Sequence, residues 1–155
     1  MKVEGTFTFA GPRSVVYELL QDPAVLAKAM PGTKRLERVT PERFEGQMKV
    51  GIGPVTAAEF SLAVTLREQV APERYAMDID SRGQLGFVRG TAHVQLDESG
   101  PNETTMRYSS DLQVGGKIAA VGQRVIDAAA RMMTQKGLDA LQRELKARLS
   151  GGSTA

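Results

Sequence analysis

The chain has 155 residues, 41% hydrophobic and 25% charged, with no cysteine and a single histidine. This fits one globular domain with a real core and excludes disulfides and thiolate zinc sites. The net charge of +2 is uneven: residues 51–115 sum to −4 and residues 116–155 to +4. A basic C-terminal third is either a solvated polarity difference or a face toward an anionic membrane or acidic partner. Basic residues are dispersed and only three Tyr and five Phe are available for stacking, so no nucleic-acid surface is expected. The N-terminus lacks an apolar run of signal-peptide length and no stretch approaches a membrane span. The expected location is the cytoplasm, with peripheral contact at the inner membrane face as an alternative.

Residues 2–9 alternate, with Val3, Gly5, Phe7 and Phe9 on one side, which predicts a half-buried strand. Gly11-Pro12 breaks it, and Val15, Val16, Leu19 and Leu20 predict a short amphipathic helix. Asp22-Pro23 fits an N-cap followed by proline at the first helical position. This second short helix ends at Pro31-Gly32. From Thr33 the period is two. A strand ends near Val39, and the next carries Phe44, Gly46, Met48 and Val50 on one face. Gly51-Ile52-Gly53-Pro54 is a turn without the Lys-Ser/Thr pair or following helix of a phosphate loop.

Ala58, Phe60, Leu62, Val64 and Leu66 then face inward on a long strand. Tyr75, Met77 and Ile79 alternate with Ala76, Asp78 and Asp80. Val88, Gly90, Ala92, Val94 and Leu96 line the next strand. Met106, Tyr108, Ser110, Leu112 and Val114 line the last. Short turns between successive strands predict antiparallel pairing, and seven strands are enough to curl.

Residues 117–149 contain no proline and are rich in good helix formers, so a helix of roughly 50 Å is expected. Ile118, Val121, Val125, Ala129, Met132 and Met133 form an apolar stripe. Leu138, Leu141, Leu145 and Leu149 fall on the opposite side, with the change of phase near Gly137. Either the helix bends there and packs on another part of the domain, or these leucines face a partner. The tail, residues 150–155, is expected to be disordered.

Little here suits catalysis. His93 lies on the polar side of its strand, and Asp78 and Asp80 share an outward face. No inward acid–base pair and no metal site is expected, nor any cofactor. The inner faces hold soft methionines and small residues such as Gly46, Gly90, Ala92, Gly122 and Ala129. Such an interior is either closely packed or partly hollow. Tyr108 and Ser110 bring hydroxyls that need partners there.

Seven short motifs in order carry a resemblance: Glu4-Gly5-Thr6-Phe7, Asp22-Pro23 with Leu26-Ala27, Pro31-Gly32 with Leu36-Glu37, Lys49-Val50-Gly51-Ile52-Gly53-Pro54-Val55, Gly90-Thr91-Ala92, Val114-Gly115-Gly116-Lys117-Ile118-Ala119 and Gly122-Gln123-Arg124. Over residues 1–148 the chain resembles the carbon monoxide dehydrogenase G-subunit family of the SRPBCC (START and birch-pollen-allergen) superfamily. The resemblance implies an α+β helix-grip fold: a curved seven-stranded antiparallel sheet around a long C-terminal helix, with two short helices after strand one. The domain would span residues 1–149.

It also implies a cavity for a hydrophobic molecule and an auxiliary role, without catalysis, beside a molybdenum hydroxylase of the carbon monoxide dehydrogenase type. Some relatives carry a C-terminal membrane segment that this sequence lacks, so carriage of a lipid- or quinone-like molecule is expected in preference to direct anchoring. The expected lining is Phe60, Leu62, Met77, Ile79, Val88, Ala92, Met106, Tyr108, Val125, Ala129 and Met132. Lys34, Arg35 and Arg38, after the second short helix, would meet an anionic head group or stay solvated. Two alternatives stand beside this reading. One is an assembly or recruitment factor, with a homodimer or partner held through Leu138, Leu141, Leu145 and Leu149. The other is an enzyme of the aromatase or cyclase kind, for which a shared fold is thin evidence.

Overall fold

The computed structural model describes residues 1–52 and 54–152, with backbone only at 55–57 and 152. Gly53 of the Gly51-Ile52-Gly53-Pro54 turn and residues 153–155 of the expected tail lie outside the described residues. Strand β1 (Lys2–Phe9) is followed by helices α1 (Arg13–Leu19) and α2 (Pro23–Ala29). Six strands follow: β2 (Thr33–Thr40), β3 (Arg43–Ile52), β4 (Val55–Val70), β5 (Arg74–Gly83), β6 (Gly86–Gly100) and β7 (Glu103–Gly115). A 3-10 turn (Lys117–Val121) leads into helix α3 (Gln123–Gly152).

The strands make one antiparallel sheet in the order β1-β7-β6-β5-β4-β3-β2. Successive strands from β2 to β7 are neighbours because short turns join them. Helices α1 and α2 carry the chain from one edge of the sheet to the other, so β1 pairs with β7 instead of β2.

Two buried clusters join helices to sheet. The larger contains Phe9, Val16, Leu19, Phe44, Leu96, Leu138, Leu141 and Leu145. The smaller is Ala58, Phe60 and Ile118. Ile118 belongs to the 3-10 turn, and its amide bonds back to Leu85 O at 2.6 Å. Gly122 then takes φ +99°, a conformation open to glycine and strained for other residues, and α3 begins after it.

That break corrects the expected helix. It is not one helix over residues 117–149, and Ile118 and Val121 do not share its phase. Within α3 the inner line runs Ile126, Met133, Gly137, Leu141 and Leu145, at spacings of seven, four, four and four. Met132, placed on the inward stripe by the sequence, is 48% exposed. The helix passes through Gly137 without interruption. Leu138, Leu141 and Leu145 pack on the same domain and are not a partner-facing surface; Leu145 is fully buried. Only Leu149 of the four is exposed. Residues 150–152, expected in the tail, continue α3.

The N-terminus of α2 is tied to the end of α3. Ala24 N–H donates to Asp22 Oδ1 at 3.0 Å and Arg148 Nη2 donates to Asp22 Oδ2 at 2.8 Å. Partial burial pushes this carboxyl up, but the Arg148 hydrogen bond, the Ala24 and Val25 amides and the guanidinium charge together hold it below its usual value. Asp22→Ala should lose about 1 kcal/mol at pH 7 through loss of the cap. Because the folded carboxyl titrates below the unfolded one, at about 3.9, the stabilisation is present above that pH. It is lost as pH falls through the folded value. Urea unfolding at pH 7 and pH 3 should therefore show the two proteins converging in acid. Leu145→Ala should cost about 2–5 kcal/mol in the same assay; a loss under about 1 kcal/mol would contradict its burial in the core.

Candidate functional site

The inner face of the sheet is built from rows of residues paired across strands. One row runs Leu66, Met77, Ala92, Ser110 and Val3 from β4 to β1. Beside it run Tyr75, Val94 and Tyr108, and on the other side Val64 and Ile79. Alternation along each strand puts all of these on one face. In the middle of the first row the side chains are small, Ala92 and Ser110, between the longer Met77 and Val3. Opposite them α3 presents Met133, Thr134 and Gly137. A Cβ at Gly137 would meet only Ala29 O, at 3.6 Å.

The result is a cavity of about 410 Å³ between sheet and helix, within the usual range for small-molecule sites. Leu20, Leu26, Met30 and Pro31 close the side nearest the short helices. Burial grades along it. Tyr75, Val94, Leu66 and Leu141 are at most 7% exposed, whereas Met77, Ile79, Met133, Thr134, Met30 and Pro31 are half-buried. The closed end is thus near Tyr75 and the mouth near Met133, Thr134 and the loop after α2. No Asp, Glu, His, Lys or Arg lines it among the described residues.

Six of the residues expected from sequence line this space: Leu62, Met77, Ile79, Ala92, Met106 and Tyr108. Five do not. Phe60 is buried in the smaller cluster under Ile118. Val88 pairs with Ser81 and Val114 near that same end, beyond the cavity. Val125 and Ala129 fall off the inner line of α3 once the helix starts at Gln123, and Met132 points outward. The lining also takes in Phe44, Met48, Leu36, Leu26 and Met30, which sequence reasoning left out. For Phe44 and Met48 the signal was present, since both sit on the inward face of their strand.

Ser110 Oγ donates to Val3 O at 3.1 Å. Tyr108 lies over Gly5, where an added Cβ would stand 2.7 Å from its hydroxyl oxygen. His93 is exposed on the outer face. Asp78 pairs with Arg67 at 2.7 Å, and Asp80 with Arg82 at 3.0 Å, whose hydrogen bond holds the Asp80 carboxyl below its usual range. Neither aspartate reaches the cavity. Lys34 bonds Glu59 at 3.0 Å and Arg35 pairs with Glu37 at 3.2 Å. Arg38 donates to Pro41 O and Gln21 O, each at 2.7 Å, and lies over the Phe44 ring. The three cations near the mouth are thus engaged within the chain. Among the described residues no group of three or more His, Cys, Asp or Glu could hold a metal ion, and no helix is long and apolar enough to cross a membrane.

Comparison with known structures supports the fold. A conserved protein from Geobacillus kaustophilus superposes with a TM-score of 0.89 at 24% identity, covering 96% of this chain and 97% of that one. A START superfamily protein from Mycobacterium smegmatis gives 0.71 at 12% identity, over 94% and 97% of the two chains. The Zhui aromatase/cyclase from Streptomyces sp. R1128 gives 0.71 at 15%, over 96% and 95%. These likenesses establish the helix-grip architecture. No curated protein matches the sequence. The family profile of the carbon monoxide dehydrogenase G subunit (CoxG) matches residues 5–146, nearly the whole chain, and the protein belongs to that family.

Proposed function

We propose that this chain is a non-catalytic binding protein that encloses a lipid- or quinone-like molecule between its sheet and α3. The observation that carries this reading is the cavity itself. It is apolar, of small-molecule size, closed at one end, and lined by flexible methionines that adapt to an occupant. The lining offers no carboxylate, imidazole or amine for proton transfer among the described residues. Membership of the CoxG family supports a role accessory to a molybdenum hydroxylase of the carbon monoxide dehydrogenase type. The exposed Arg124, Arg131 and Lys136 on α3 fit transient contact with an anionic membrane surface, where hydrophobic ligands reside. Recruitment through the leucine face has lost its surface, because three of its four leucines are buried.

The test is uptake of the neutral fluorophore N-phenyl-1-naphthylamine. Ala92→Trp and Gly137→Leu fill the cavity from floor and roof, and each should lose most of the saturable fluorescence while melting as a folded protein. Ala129→Trp, outside the lining, should bind like the wild type. Equal uptake by all four proteins would place the binding elsewhere.

A further inference from the structure

Two phenols stand out in the interior. Tyr17 and Tyr75 are 7% and 5% exposed and meet edge to face, with ring centroids 5.6 Å apart. The Tyr17 hydroxyl is enclosed and makes no hydrogen bond among the described residues. The Tyr75 hydroxyl shows no hydrogen bond among the described residues either, but unlike that of Tyr17 it is not among the fully enclosed polar atoms that lack a partner. Buried hydroxyls nearly always have a partner, so a second phenol beside the enclosed one, unbonded and against the cavity, calls for a reason. Tyr75 lines the cavity, and Tyr17 packs against it from outside the lining. Burial, and secondarily the neighbouring Tyr17, push the Tyr75 phenol well above its usual range. It therefore stays protonated and keeps a proton to donate.

The position of Tyr75 gives this donor a direction. Among the lining residues of β5, Tyr75 is buried whereas Met77 and Ile79 are half-buried, so Tyr75 stands at the more enclosed end. The other hydroxyls of the lining are placed differently: Thr134 is half-buried at the mouth and Ser109 is exposed. Ser110 is already bonded to Val3 O. Tyr108 is half-buried over Gly5 on the far side of Val94. The absence of any charged side chain from the described lining constrains the ligand as well. A carboxylate or phosphate inside would lose its hydration with no cation to answer it.

We propose that Tyr75 is the polar anchor of the cavity. Its hydroxyl donates to a carbonyl oxygen of an uncharged, otherwise apolar ligand, whose remainder extends toward Met133 and Thr134. This rests on the cavity being the binding site, and it adds an orientation, a specificity residue and a preference for neutral over anionic ligands.

Tyr75→Phe and Tyr108→Phe are compared with the wild type, using prodan, a neutral naphthyl ketone, and diphenylhexatriene, which has no carbonyl. Because the Tyr75 hydroxyl is unpartnered, unliganded Tyr75→Phe should melt no lower than the wild type. It should bind prodan about five- to tenfold more weakly, the loss of one hydrogen bond, and bind diphenylhexatriene unchanged. Methyl dodecanoate should displace prodan from the wild type about tenfold better than dodecanoate at about pH 8. Equal weakening of both probes by Tyr75→Phe assigns the ring a packing role and overturns the anchor. So does a loss confined to Tyr108→Phe, or no loss at all. Equal displacement by ester and carboxylate overturns the neutral preference. Failure of the wild type to bind either probe overturns the binding reading itself, and the anchor with it.

Discussion

Everything in this structure depends on how α3 is held against the sheet. The helix is seated toward its C-terminal end, where Leu138, Leu141 and Leu145 pack with Phe9, Val16 and Leu19. Before its N-terminus, Ile118 plugs a separate cluster with Ala58 and Phe60. Between the two supports, the floor is low at Ala92 and Ser110 and the roof is low at Gly137. Two supports and a gap make a cavity without any special element to build it. The Asp22–Arg148 contact ties α2 to the same helix, so the loop at the mouth is fixed by the packing that seats α3.

Such a gap has an energetic consequence. At about 24 cal/mol per Å³, an empty, closed void of this size would cost on the order of 10 kcal/mol, comparable to the whole stability of a small domain. An open mouth and an occupant each relieve it. A packed core would have been available by simple substitution, since larger residues at Ala92 and Gly137 would fill the space. The hollow interior is thus a property of a few small residues in the right rows. Tyr75 adds a polar point at the more enclosed end without adding charge.

The strands were legible because their alternation is strict. The inward faces of β1, β3, β4, β6 and β7 read from sequence match the observed burial, and Asp22-Pro23 marked the start of α2. The helix phase was not legible. Gly122 looked like one more small residue within a helical run, so the stripe was counted from Ile118 through a break and Met132 was turned inward. The same miscount made the leucines look like a second face. Phe60 and Val88 were misplaced for another reason. Periodicity reports which face a residue takes and is silent on which end of a strand the helix covers. Tyr75 falls on the inward face by alternation, but its ring contact is with Tyr17, 58 positions earlier on α1, which no local pattern reports.

The central claim, that the space between sheet and helix is occupied, is tested most directly by mass spectrometry of the protein under native conditions, followed by solvent extraction of whatever it carries. A stoichiometric, uncharged hydrophobic adduct is expected, present on isolation or acquired on incubation with neutral lipids. A bare protein mass in both cases would contradict the claim.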